Sequence, residues 1–504
     1  MKTALALVYC IMLIFTGGIY ALEGNAETLE NKIPAANNSF CLDLYRELAE
    51  MDDNLFFSPL SVYIALTMSA EGARNQTAAE FAQLLHYPED LMIEEDDIPY
   101  NIKPIHSFLS KTEDEYRSGM RMVITEKNGR VPRVYSDSVI TGSDLEELPD
   151  KSGFYKDEIS VDSSSPVARN SALNYELNIS NALFLQKGFP IHDSYIDTIS
   201  HYYTDGGTFE VDFINDIAGA ADQINSWVEE QTKGRIKDIF QPGDPDKDKW
   251  IRLVLANTIY FLGAWKEPFK DSHTAERTFT LTTGEKIKTP IMINSDFDEG
   301  RYGAFNADGS FFRTPRMLDR GQKDLYPDSD GFAILEMPYK ECGLAMLVIA
   351  PNSPEGLPNI EEQLNQKNLS EWIERLRSRK VHVWMPKFKM EYKSNLGKTL
   401  RTMGLELAFN QKKADLSGIS EIRPVQRLYI SKVIHKAFLE VDEKGTEAAA
   451  ATTVELALTS GIEIRTRIPF IPTFKADRPF LFVIRDVNNG LILFMGRVIN
   501  PEKV

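Results

Sequence analysis

Glu443-Lys-Gly-Thr-Glu-Ala-Ala-Ala-Ala-Thr-Thr-Val-Glu-Leu-Ala-Leu-Thr-Ser460 is the stretch on which the reading of this chain turns. Taken at strand period, it separates into two faces. One carries Thr446, Ala448, Ala450, Thr452, Val454 and Leu456, all small or apolar. The other carries Glu447, Ala449, Ala451, Thr453, Glu455 and Ala457, with both charges on the same side. No proline interrupts the run, and Gly445 stands at its start, where a hinge is useful. The segment can therefore enter a sheet as an interior strand without burying a charge. Just beyond it, Gly461 to Pro472 alternates but is broken by Pro469 and Pro472. On periodicity alone this is an edge strand running into a surface loop. A chain able to be either exposed loop or inserted strand has two states, and the free-energy gap between them can do mechanical work.

Working outward, Met1 to Ala21 has Lys2, an apolar run from Ala4 to Phe15 and small residues ending at Ala21. That is a signal-peptide pattern, too short for a membrane span, and it predicts a secreted, extracellular protein. Removing residues 1–21 takes Cys10 with it and leaves Cys41 and Cys342, expected to be reduced and buried. Four Asn-x-Ser/Thr sequons, at Asn37, Asn75, Asn178 and Asn368, mark candidate glycosylation sites. The net charge of −18 argues against nucleic-acid binding, which needs a concentrated basic surface. The basic cluster Arg375, Arg377, Arg379 and Lys380 closes a helical pattern from Leu369 and reads as a solvated helix end.

No enzyme constellation survives a search of the sequence. There is no nucleophile elbow, His-Glu-x-x-His, Cys-x-x-Cys or phosphate-binding loop. Asp244-Pro-Asp246-Lys-Asp248 opens like a calcium loop, but has Lys249 where glycine is needed and Leu255 where glutamate is needed. Neither a metal nor a cofactor is expected.

Ser58-Pro59 predicts a helix with Ser58 as N-cap and Pro59 at its first position. Earlier, Ala36 to Glu50 reads as helix. Leu177 to Leu185, Phe209 to Phe213 and Trp250 to Phe261 read as strands, with a helix from Asn225 to Ile236. Phe332 to Ala350 reads as paired strands around Lys340–Gly343, and Val381 to Met385 as another strand.

Several blocks together resemble the serpin family: Asn54-Leu-Phe-Phe-Ser-Pro-Leu-Ser, Asn225-Ser-Trp-Val-Glu-Glu-Gln-Thr-Lys-Gly-Arg-Ile, Leu255-Ala-Asn-Thr-Ile-Tyr-Phe-Leu-Gly-Ala-Trp, His435-Lys-Ala-Phe-Leu-Glu-Val-Asp leading into the Glu443 stretch, and Phe494-Met-Gly-Arg-Val-Ile-Asn-Pro. They run in order from about Ala36 to Pro501. The resemblance implies an α+β fold with three β-sheets, eight to nine helices and an exposed reactive-centre loop. It implies a single domain over 22–504, with insertions at about 88–170 and 295–331 and the loop at about 443–475. The first insertion is acidic, so the heparin binding seen in some members is not carried over. Within it, Met120 to Ile124 and Val131 to Tyr135 suggest a hairpin around Asn128-Gly129. The second insertion intersperses Phe297, Phe305, Phe311 and Phe312, which cover a core edge or form a contact patch.

By resemblance, Glu443, Gly445, Thr446, Glu447 and Ala448, Ala449, Ala450 and Ala451 form the hinge of the loop. Ser58, Ser61, Asn257 and His435 meet at a shutter beneath the sheet, Trp265 stands at the breach where the loop enters, and Lys387 pairs with Glu443. The implied activity is suicide inhibition of serine proteases of the chymotrypsin fold, by a monomer. Counting from Glu443 as the family does places the reactive bond at Thr459–Ser460, or after Leu458 if the loop is shorter by one. These suit chymotrypsin- or elastase-like pockets. Arg465 or Arg467 is the alternative and would suit a trypsin-like enzyme. A non-inhibitory carrier is the other reading, although the hinge carries none of the charged or bulky residues that disable insertion.

Overall fold

The computed structural model describes residues 29–49, 53–91, 100, 103–108, 134–135, 138–139, 175–203, 206–319, 327, 329–421, 427–446 and 467–503. The leader 1–21, the Met120–Ile124 strand and its Asn128-Gly129 turn lie outside them, as do Glu447, Ala448–Ala451, Leu458, Thr459, Ser460 and Arg465.

Three sheets form the body. A six-stranded sheet runs Phe388–Asn395, Ile430–Val441, Leu253–Ala264, Tyr175–Gln186, Gly206–Val211, with the two-residue strand Gly445–Thr446 also paired to Leu253–Ala264. An eight-stranded sheet is built around Phe332–Pro338, Leu344–Pro351, Phe480–Asp486 and Ile492–Val498, and a four-stranded sheet runs Thr473–Lys475, Val381–Pro386, Lys286–Phe297, Ala275–Thr280. The central strand Leu253–Ala264 alternates between two apolar layers. Leu253, Leu255, Ile259 and Phe261 face the main core; Val254, Ala256, Tyr260 and Leu262 face a second cluster with helix Ile217–Gln231. Buried on both faces, the strand is almost continuously apolar, as an interior strand must be.

Helix Pro59–Glu71 is buried from Pro59 to Ala70, between the six- and eight-stranded sheets. Its start is as the sequence reads: Ser58 Oγ accepts from the Ser61 amide, and Pro59 gives up an N–H that no helix start can use.

Other expectations are corrected. The helix expected at Asn225–Ile236 spans Ile217–Gln231, because Asp216 caps it by accepting from the Gly219 amide. The helix expected at Ala36–Glu50 spans Leu29–Leu48, with Pro34 inside it. Val134–Tyr135 pairs with Ser138–Val139, and the hairpin expected around Asn128-Gly129 lies outside the described residues. Much of the second insertion belongs to the body. Arg301–Phe305 is a register-matched neighbour of Phe332–Pro338, and Phe297 and Phe305 are buried. Phe311 stays exposed at the edge of that sheet.

Candidate functional site

The site lies where strand Ile430–Val441 runs parallel to the central strand. Their register sets His435 opposite Asn257, and the neighbouring strand sets Asn181 opposite Asn257 from the other side. Ser58, at the cap of the buried helix, reaches the same point: its amide donates to His435 Nε2 at 3.2 Å and its hydroxyl donates to the Leu493 carbonyl at 2.6 Å. Since Nε2 accepts, Nδ1 carries the proton and donates it to Asn257 Oδ1. The Asn257 amide group in turn donates to Ser61 Oγ and Asn181 Oδ1. Five polar side chains with almost no solvent access are thus satisfied mutually, as buried polar groups require. Asn181 was missed in the sequence. Its signal is a lone amide at even spacing from the apolar Ile179, Leu183 and Leu185 on one strand.

Burial holds the His435 imidazole down to about 3, so it is neutral in the native protein. The unfolded chain binds that proton near 6.5. Stability from this group is therefore complete above about 6.5 and declines by about 1.4 kcal/mol per pH unit as pH falls toward the native value. Denaturant titration of wild type and His435→Gln between those limits should give a shallower acid slope in the variant. Equal slopes would contradict the assignment.

Up the sheet, the end of strand Ile430–Val441 and the residues after it are tied down by side chains. Trp265, 2% exposed, stacks on Tyr339 at 4.6 Å and donates its indole N–H to the Asp442 carbonyl at 3.0 Å. Glu443 bonds to Lys387 Nζ at 2.8 Å and accepts from Thr274 Oγ1 at 2.7 Å. Burial alone would push the Glu443 carboxyl up; the bonds from Lys387 and Thr274 outweigh it and hold the carboxyl below its ordinary range. Main-chain bonds Trp265 N to Lys444 O and Phe269 N to Glu443 O continue the attachment.

Then the chain turns at Gly445, whose φ of +141° favours glycine, and its backbone approaches so closely that a Cβ would lie 2.0 Å from the Gly263 carbonyl oxygen. Gly445 and Thr446 are paired antiparallel with Ala264 and Gly263. Gly445 and Thr446 thus extend the sheet beside the end of the central strand, on the side of its parallel neighbour. Farther along, Arg467–Pro469 is a strand paired with Met317–Asp319.

The sequence model of the family described as "Serpin (serine protease inhibitor)" matches residues 35–144 and 160–501. The chain belongs to the serpin family. Among its relatives, a serpin-like protein of Thermococcus kodakarensis is 33% identical over 94% of this chain and 87% of its own length. The leukocyte elastase inhibitor of Xenopus laevis is 30% identical over 94% of this chain and 100% of its own. Among solved structures, human thyroxine-binding globulin complexed with thyroxine superposes with a TM-score of 0.67 at 26% identity, covering 94% of this chain and 100% of that one. Serpins are mostly protease inhibitors, with some members that do not inhibit, and the family has both secreted and intracellular members. The serpin fold accounts for the three sheets, and no helix among the described residues is long and apolar enough to cross a membrane.

Three other readings need correction. Asn37 is fully buried and its amide donates to the Ile492 carbonyl, so this serpin cannot carry a glycan there; Asn178 and Asn368 are half-buried and Asn75 is exposed. Cys41 and Cys342 are free, but of the two only Cys41 is buried; Cys342 is half-buried in the turn after Tyr339. The basic cluster is a solvated helix end at Arg375 and Arg377, both exposed, with Arg377 donating to the Glu374 and Leu376 carbonyls, but not at Arg379, which donates inward to the Pro315 and Phe470 carbonyls.

Proposed function

We propose that this serpin is a secreted, monomeric suicide inhibitor of serine proteases of the chymotrypsin fold, of chymotrypsin- or elastase-like specificity, cut at Thr459–Ser460 or after Leu458. The observation that carries the reading is the hinge pairing of Gly445–Thr446 with Gly263–Ala264, which sets a register for everything that follows. Continued down the central strand, that register would bring Ala448, Ala450, Thr452, Val454 and Leu456 opposite Phe261, Ile259, Asn257, Leu255 and Leu253, all on the main-core face. Glu447 and Glu455 would fall on the other face, and Glu455 would arrive beside Lys432, now the neighbour of Val254. Glu455 then has a cation beside it, whereas a charge buried without a partner would cost several kcal/mol.

In this mechanism the protease serine attacks the carbonyl of the residue before the scissile bond, and the leaving amine departs with the C-terminal arm. The freed N-terminal arm inserts between the central strand and Ile430–Val441 and carries the acyl-enzyme to the far end of the sheet. The tether decides which bond is useful. With Leu456 at the end of the ladder, Thr459 leaves about 10 Å of free chain, while Arg465 leaves about 30 Å. A short tether presses the protease against the body and distorts its active site; a long one lets deacylation finish. The Lys387–Glu443 pair would hold the hinge until the cut, biasing rather than locking it, since a half-exposed pair is worth about 1 kcal/mol. Asn75, Asn178 and Asn368 remain proposed glycan acceptors.

Incubation with elastase, chymotrypsin and trypsin tests this directly. A complex stable to SDS should form with elastase or chymotrypsin, and mass spectrometry should find a released peptide beginning at Ser460 or Thr459. A trypsin complex whose peptide begins at Thr466 would favour the Arg465 alternative. Cleavage by all three without any complex would favour the carrier reading, which the likeness to thyroxine-binding globulin keeps in view.

A further inference from the structure

Downstream of the loop the backbone is held twice. Met317, Leu318 and Asp319, from the second insertion, pair antiparallel with Pro469, Ile468 and Arg467. The Phe470 amide extends the ladder by donating to the Arg316 carbonyl at 3.0 Å. Arg379 then bridges the two strands: its guanidinium donates to the Pro315 carbonyl at 3.0 Å and the Phe470 carbonyl at 2.8 Å, and lies over the Phe470 ring. Its planar fork suits two carbonyls on different strands in a way a lysine does not. Leu318 and Phe470 are buried beneath, at 3% and 6% exposure. Two residues on, the His382 amide donates to the Pro472 carbonyl, and Thr473–Lys475 joins the four-stranded sheet beside His382–Trp384.

We propose that Phe311–Asp319, latched by Arg379, is a clamp on the C-terminal arm of the loop, which withholds the Arg467–Ile468 bond from proteases and confines cutting to upstream bonds. The inference rests on reading residues 443–475 as the reactive segment. A protease reads its substrate as an extended strand whose backbone pairs with the enzyme on both sides of the scissile bond. At Arg467 and Ile468 that pairing is already taken by Leu318 and Asp319, so a trypsin-like enzyme must first unpair the clamp. Pro469 fits this arrangement, because a residue at the edge of a two-stranded ribbon can lack its N–H. Arg379 thereby acts as a specificity-determining residue without touching the protease. After cleavage upstream, the clamp keeps the C-terminal arm in place while the N-terminal arm inserts.

The test is limited trypsin digestion of the full chain, with the fragment beginning at Ile468 followed by mass spectrometry. Native wild type should release it slowly. Arg379→Ala and Leu318→Pro should each release it at least about tenfold faster, the order expected when local opening no longer breaks two or more hydrogen bonds. Early cutting after Arg467 in folded wild type, or equal rates in wild type and a folded variant, overturns the clamp. The wild-type map decides even if Arg379→Ala fails to fold. A missing SDS-stable complex with elastase would count against the inhibitory reading and leave this result standing.

Discussion

Thr446→Arg is expected to convert the protein from an inhibitor into a substrate: proteases should still cut the loop, but the covalent complex should vanish. Thr446 is paired opposite Gly263, and opposed residues of an antiparallel pair share a face. That face has no spare room. Even a methyl group on Gly263 would come within 2.6 Å of the Phe261 ring and 2.9 Å of Tyr339. An arginine at the adjoining position would have to bury an unpaired guanidinium there, or leave the sheet and take the hinge with it. Burial of this kind costs about 3–5 kcal/mol. If it falls on the insertion step, insertion slows by about a hundredfold or more, because each 1.4 kcal/mol is a factor of ten. Insertion competes with deacylation, so a delay of that size hands the outcome to hydrolysis. The readout is the ratio of cleaved protein to SDS-stable complex for wild type and variant against the same protease. An unchanged ratio would mean that the hinge does not enter the sheet during inhibition, and the acidic first insertion would become the place to look.

The parts of this molecule that were legible in the sequence are those whose signal is local or periodic. Ser58-Pro59 is a helix start because a hydroxyl cap and a missing N–H satisfy the same end of the same helix. The paired strands around Lys340–Gly343 follow from an apolar run broken by a tight turn. The glycine of the Glu443 stretch was legible as a turning point, and Gly445 has a φ of +141°. What escaped was set by partners distant in the chain. Asn181 belongs to the buried polar cluster around His435 only because two strands bring it level with Asn257, some 76 positions away. Thr274 matters because it meets Glu443, and no spacing announces that. Arg379 looked like one of several cations closing a helix, and only the fold turns it toward the carbonyls of Pro315 and Phe470. The buried Asn37 matched a glycosylation motif because such a motif records three residues and nothing about burial. A strand within the expected second insertion went unread for a related reason. Arg301–Phe305 alternates weakly by itself, and its place as a sheet strand is fixed by register with Phe332–Pro338.

Cleavage itself should make the protein more stable, the largest effect this account predicts. In the intact molecule the central strand pairs in parallel with Ile430–Val441 over Leu253 to Phe261. Insertion replaces that one interface with two antiparallel ones and adds about ten residues of ladder, each net hydrogen bond contributing about 1 kcal/mol. Burial of the Thr446–Leu456 face against Leu253, Leu255, Ile259 and Phe261 adds to this. A gain of roughly 10 kcal/mol corresponds to a rise in Tm of about 20 °C or more, at about 2 °C per kcal/mol for a large domain. The melting temperature of the protein before and after a single cut in the loop is therefore the measurement that bears most directly on the claim that an exposed arm is poised to become an interior strand. The account predicts a rise of that size in wild type and a much smaller one in Thr446→Arg. An unchanged or lower melting temperature in cleaved wild type would contradict it.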